Sequence, residues 1–257
     1  MADGLPTIAL LGLGEAGGRF ARDLREAGVA VRGWDPLPET GPDAASASEA
    51  ADGADVVLSA NSAADAAAAA RSVLDVLRPG QAFADLNTGS PELKAELARI
   101  VAPTGAGFAD VALMAPVPGK GIGTPTLASG DGAERFAELL RPLGMPVEIV
   151  GVLPGAAAER KLLRSIVWKG LAAVVLEATA AGVAAGKAEE VRAEILGILA
   201  EADEALVERM LTGSRTHATR RTHEMEAVGA MLRDLGVPSW MSDGSAEWLR
   251  ALRDGRA

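Results

Sequence analysis

The sequence predicts a mainly parallel α/β sheet over residues 1–153, followed by an all-α domain over residues 154–257. Three observations predict it. From residue 5 to about residue 150, short apolar runs alternate with helix-period segments, as in a sheet whose parallel strands are joined by crossover helices. That alternation stops at Pro154–Gly155, beyond which the chain reads as helix. Between the first apolar run and the first helix stand Gly12, Gly14 and Gly17.

The apolar runs place strands at Thr7–Leu11, Val29–Trp34, Val56–Ala60, Ala82–Leu86, Gly107–Leu113, Thr126–Ser129 and Val147–Val150. Helices are expected at Ala16–Glu26, Ala63–Leu77, Pro91–Val101 and Ala133–Leu143. Ser90-Pro91 is a strong helix start, with a hydroxyl N-cap and proline at the first helical position. From residue 154 to about Gly186 one long helix is expected, apolar all round and therefore buried. The remaining chain is helical, punctuated at Gly213, Gly236-Val237-Pro238 and Gly244.

The glycines form G-x-G-x-x-G in its full context: a strand before, a helix after, a second strand next, and Asp35 at its end, 21 residues after Gly14. The first glycine makes the tight turn, the second lets backbone approach a pyrophosphate, and the third lets helix pack on strand. The segment Gly12, Leu13, Gly14, Glu15, Ala16 and Gly17 then offers helix N-terminal amides to phosphate. This is the Rossmann fingerprint of a dinucleotide-binding domain. Asp35 suits the hydroxyls of an adenosine ribose. No Lys or Arg lies between Asp35 and Arg71, whereas Glu39 and Asp43 do. NAD is therefore expected in preference to NADP. The polar pairs Asn61-Ser62 and Asn87-Thr88 leave the third and fourth strands and are expected to complete the cofactor site. Turn and cap chemistry is an equal account of Asn61 and Ser62.

Composition narrows the chemistry. The net charge of −10 argues against nucleic acid as a partner. With no Cys there is no thiolate chemistry or disulfide, with no Tyr no Tyr–Lys dehydrogenase mechanism, and two histidines cannot build a three-His metal site within one subunit. Residues 1–6 carry no leader pattern, and the apolar stretch Leu171–Ala185 contains Glu177 and reads as too short to span a bilayer. A soluble cytoplasmic protein without membrane or metal is expected.

A basic stripe opens the long helix. Lys161, Ser165 and Lys169 share a face at i, i+4 and i+8, with Arg164 beside them. Arg160, Lys161 and Arg164 crowd the first turns, where the helix dipole disfavours cations. Such a helix fits a site facing an anionic substrate. Arg160 and Lys169 are read as outward-facing or paired side chains, and Lys161 as functional.

These residues carry a resemblance. Leu11-Gly-Leu-Gly-Glu-Ala-Gly17, Asp85-Leu-Asn-Thr-Gly-Ser-Pro91, Ala115-Pro-Val-Pro-Gly-Lys120 and Gly155-x-Ala-x-x-x-Lys161 resemble successive motifs of the β-hydroxyacid dehydrogenase superfamily. That superfamily includes 6-phosphogluconate and 3-hydroxyisobutyrate dehydrogenases. Lys161-Leu-Leu-Arg-Ser165, Lys169-Gly170, Glu177 and Arg220-Arg-Thr-His-Glu-Met225 resemble a phosphogluconate dehydrogenase-like branch with its own C-terminal helical domain. The resemblance covers nearly the whole chain. It departs where the substrate-loop serine is Pro118, the following second glycine is Lys120, and an Asn pair is Arg164-Ser165.

The resemblance implies an NAD(P)-dependent dehydrogenase or reductase acting on CH–OH, with Lys161 and Ser165 catalytic. Lys161 would be the general acid/base on a small hydroxy acid, phosphorylated or otherwise anionic. Pro118, Gly119, Lys120, Arg164, His217 and Arg221 would line the substrate, and the helical domain would form a homodimer or homotetramer. Two alternatives stand beside it: an imine reductase on the same fold, where the family lysine is usually absent, and a non-catalytic dinucleotide-binding regulator.

Overall fold

The computed structural model describes residues 4–257. Met1 to Asp3, part of the stretch read for a leader, lie outside the described residues. Seven strands form one sheet: β1 (Thr7–Leu11), β2 (Ala30–Trp34), β3 (Val56–Ser59), β4 (Ala82–Asp85), β5 (Gly107–Leu113), β6 (Thr126–Ser129) and β7 (Val147–Gly151). Their order is β2-β1-β3-β4-β5-β6-β7. All pairs are parallel except β5–β6, so the sheet is mainly parallel, as the alternation predicts.

Five helices accompany the sheet: α1 (Glu15–Glu26), α2 (Ala47–Ala51), α3 (Ala66–Arg71), α4 (Pro91–Val101) and α5 (Ala133–Leu140). Helix α1 turns Gly17, Phe20, Ala21 and Leu24 inward, the i, i+3, i+4, i+7 stripe of an amphipathic helix. Successive strand residues face opposite sides, which gives two cores. Ile8, Leu10, Val56 and Leu58 meet α1 and α5 on one face. Ala9, Leu11, Val57, Phe83 and Phe108 meet α2, α3 and α4 on the other. Ser90 caps α4 as expected, its hydroxyl accepting from the Leu93 amide. The third helix is shorter than expected. Ser72 Oγ donates to the Ala69 carbonyl, and the next amides reach back only three residues, so hydroxyl competition and a tightening turn end it.

The rest is helical: α6 (Ala156–Ala184), α7 (Ala188–Ala200), α8 (Glu204–Thr216), α9 (Ala218–Asp234) and α10 (Trp240–Arg253). The chain divides into two compact units at Arg164–Ser165, within α6. Three expectations are corrected. Gly213 and Gly244 lie inside α8 and α10 rather than between helices; at Gly213 the missing side chain makes room for the Arg221 guanidinium, 2.8 Å from where a Cβ would stand. Of these three later breaks, only Gly236, at φ +70°, ends a helix as expected. The apolar stretch belongs to a longer apolar helix than expected: α6 has 29 residues and a mean hydropathy of 1.6 in its most apolar window, enough by length and composition alone to cross a membrane, because the helix extends well ahead of Leu171. Nor is α6 buried. Ile166, Val167, Trp168 and Leu176 are exposed, since apolar residues all round a helix can be covered only if something surrounds it.

Candidate active site

The cofactor side is built at the point where strand order reverses, between β1 and its neighbours β2 and β3, where open α/β sheets place their ligands. Gly12 has φ +94°, and a Cβ there would stand 2.5 Å from the Ala60 carbonyl oxygen. At Gly17 a Cβ would stand 1.9 Å from the Gly12 carbonyl oxygen. The fold itself therefore requires both glycines. Gly14 differs, because a Cβ there would meet no protein atom within 4 Å. It borders a cleft of 490 Å³ shared with Gly12, Asp35, Asn61 and Ser62. Space that the protein does not fill beside an uncapped helix start fits a dinucleotide's pyrophosphate.

Asp35 holds this loop in place. Its carboxylate accepts from the Leu13 amide at 2.7 Å and the Leu37 amide at 2.9 Å, joining the glycine turn to the turn after β2. Each oxygen keeps a second acceptor direction for a ribose hydroxyl. Glu15 and Ala16 begin α1, and Glu15 is exposed at its first turn. Ser62 donates to Asp65 and accepts from its amide, so cap chemistry occupies it. Asn61 accepts from the Asn87 amide group at 2.8 Å and from Ser59 Oγ at 2.9 Å.

The candidate chemistry lies farther along the strand ends. Lys161, on the second turn of α6, donates from Nζ to Thr88 Oγ1 at 2.8 Å. Arg164 Nη1 donates to the Met114 carbonyl at 2.9 Å, at the end of β5. Arg160 pairs with Glu148, the outward role expected of it. Pro118, Gly119 and Lys120 are exposed on a loop seated against α1. There Asp23 accepts from the Ile122 amide at 2.8 Å while bridging Arg19. Ser165 lies one turn beyond Lys161, in the second unit. His217 is exposed at the α8–α9 junction, and Arg221 donates to Ser214 Oγ at 2.9 Å. Both belong to the second unit.

Sequence reasoning missed a buried charge cluster under this site. Lys94 on α4 is 1% exposed, and Asp85 and Asp110 are fully buried. Lys94 Nζ donates to Asp85 Oδ2 at 2.6 Å, to the Asn87 carbonyl at 2.8 Å and to the Asp85 carbonyl at 3.0 Å. It stands 3.2 Å from Asp110 Oδ1. Asp110 Oδ2 accepts from the Gly155 and Ala158 amides and from Ser129 Oγ, which itself accepts from the Ala157 amide. Side chains of β5 and β6 thus cap the helix that carries Lys161. Burial pushes the Asp85 carboxyl above its ordinary value, against the opposing pull of Lys94. The signal for this cluster was an aspartate inside each of two apolar runs read as central strands, which demands a buried counter-charge.

Comparison with known proteins identifies the dinucleotide-binding domain and the fold. Residues 7–151 match the family described as the NAD binding domain of 6-phosphogluconate dehydrogenase. Residues 178–252 match a domain of unknown function, DUF1932. A protein of Methanothermus fervidus described as an uncharacterized 28.5 kDa protein is 29% identical over 147 residues, 56% of this chain and 55% of that protein. The chain thus matches about half the length of that curated relative. Among solved structures, a conserved protein of unknown function described as similar to 3-hydroxyacid dehydrogenases is 29% identical, covering 97% of this chain and 98% of its own, with a TM-score of 0.63. An imine reductase of Streptomyces aurantiacus has a TM-score of 0.82 at 19% identity, over 98% of this chain and 95% of its own. That last likeness carries the fold alone.

Proposed function

The chain belongs to the family of the 6-phosphogluconate dehydrogenase NAD-binding domain, and from that premise we propose that it is an NAD-dependent oxidoreductase acting on a small anionic hydroxy acid. The observation that carries the reading is Lys161 Nζ beside Thr88 Oγ1 at 2.8 Å, at the end of a strand of the sheet that forms the dinucleotide cleft. A nicotinamide supplies the hydride acceptor or donor. Lys161 takes the proton from the substrate hydroxyl as it is oxidised, and returns it in the reverse direction. Thr88 orients the Lys161 amine. Arg164, Lys120 and the Pro118-Gly119 turn hold the substrate's anionic end, Arg164 by its planar fork. Ser165, His217 and Arg221 belong to this reading as substrate-side residues of the helical unit.

Asp35 and the absence of any Lys or Arg from residue 36 to residue 70 support NAD over NADP. A homodimer or homotetramer through the helical unit is part of the proposal, supported by the exposed apolar residues of α6, α7 and α8. Glu177, in the middle of α6, accepts from the Met241 and Ser242 amides and from Ser242 Oγ. This packing within protein supports reading α6 as a subunit helix rather than a membrane span, and the dehydrogenase-type fold supports a cytoplasmic location.

The imine-reductase alternative rests on fold likeness, and Lys161 weighs against it. The test is Lys161→Ala, assayed against hydroxy acids and phosphorylated sugar acids with NAD. The expected result is a loss of at least about a hundredfold in turnover with NADH binding unchanged. Near-full turnover in the variant would remove Lys161 from the mechanism.

A further inference from the structure

The buried charges Lys94, Asp85 and Asp110 stand where three segments meet, and each segment carries part of the candidate site. Asp85 ends β4 just before Asn87 and Thr88. Asp110 lies in β5 and holds the first turn of α6, which carries Lys161. Lys94 joins them, donating to the Asn87 carbonyl on one side and standing 3.2 Å from Asp110 Oδ1 on the other. Asp110 Oδ1 has no hydrogen-bond partner among the described residues, so Lys94 is the charge that answers it. Lys94, Asp110, Thr88 and Lys161 line one narrow gap with no room for a water molecule.

We propose that Lys94 and Asp110 are a positioning pair for Lys161, fixing the first turn of α6 against the Asn87-Thr88 loop so that the Lys161 amine meets the Thr88 hydroxyl. Stability alone accounts poorly for such a group. Removing two carboxylates and an ammonium from water costs about as much as their attraction returns, and apolar residues of similar volume hold a fold equally well. What the cluster supplies is geometry. Three donors of one ammonium reach acceptors of the β4 end, and one carboxylate joins that ammonium to a helix terminus. Lys94 does not line the dinucleotide cleft, and its route to the site runs through Asp110 and Asn87. The functional meaning of this pair rests on the reading of Lys161 as acid/base, but its test does not.

Asp110→Asn keeps the volume and one oxygen for the Gly155 and Ala158 amides, and turns an NH2 group toward Lys94. Full-length parent and variant are labelled with acetic anhydride, and each lysine is read by peptide mass spectrometry. Labelling of Lys161 is expected to rise about fivefold, the effect of losing one net hydrogen bond, with Lys187 unchanged. Lys94→Met is expected to give the same rise, and the double variant no more than the larger single. Unchanged Lys161 labelling in a folded Asp110→Asn variant overturns the proposal, as do additive effects in the double variant. If the variants do not fold, amide hydrogen exchange in the parent decides. Gly155 and Ala158 amides as slow as those of β5 support the pair, and exchange as fast as an exposed turn overturns it. Failure of the parent to bind NADH would sink the functional reading while leaving the labelling result intact.

Discussion

The two compact units handle apolar surface in opposite ways. In the first, Leu10, Leu58, Phe83 and Phe108 are enclosed by helices on both faces of one sheet. In the second, α7 and α8 contain no buried residue, and Ile166, Val167, Trp168 and Trp240 are exposed. Both regions are rich in hydrophobic residues. A twisted parallel sheet closes its core within one chain because crossover helices return across each face. A helix that is apolar all round has no such return path. Composition fixes how much surface must be buried, and topology decides whether one chain can do it.

The largest expected effect breaks this contrast from the helical side. Trp168→Glu is expected to turn an oligomer into a monomer, read by light scattering at micromolar concentration, and to abolish any rise of the parent's Tm with protein concentration. A monomeric parent would contradict the contrast. On the sheet side, Phe108→Ala removes a ring stacked on Phe83 at 6.4 Å. It is expected to cost about 3–5 kcal/mol in denaturant unfolding, equally at every protein concentration. A cost that shrinks on dilution would mean that the first unit also depends on a partner.

The smallest effect sharpens the picture of the first unit's buried charges. Asp85 keeps its proton to higher pH in the folded chain than at its ordinary value of 3.8. The folded state then binds more protons than the unfolded one between those two values. The stability from this proton is full below 3.8 and is lost as pH rises through the raised value. The Tm difference between parent and Asp85→Asn is therefore expected to fall as pH rises through that window. A difference that grows would show that pairing with Lys94 outweighs burial.

Strands β1, β5 and β6 were legible to the residue, because apolar runs bounded by turn residues are local signals. The glycine turn between β1 and α1, and the place of Asp35 just after β2, were legible from their spacing along the chain. Helix α2, five residues in an Ala-Ser segment, left no periodicity to read. The role of Lys94 was not legible either. In Pro91-Glu-Leu-Lys-Ala-Glu-Leu97 it reads as one more solvent-facing charge on an amphipathic helix. Its burial depends on aspartates from two different strands, and no window along the sequence holds all three. The exposure of α6 escaped for a related reason, since periodicity reports which faces are apolar and not what covers them.

The central claim, that the glycine loop and Asp35 form an NAD site, is tested most directly by titrating the purified protein with NADH and then NADPH and following nicotinamide fluorescence. The account predicts tighter binding of NADH, weakened about tenfold in Asp35→Ala by loss of the ribose hydrogen bonds. Preference for NADPH, or binding of neither, would contradict it.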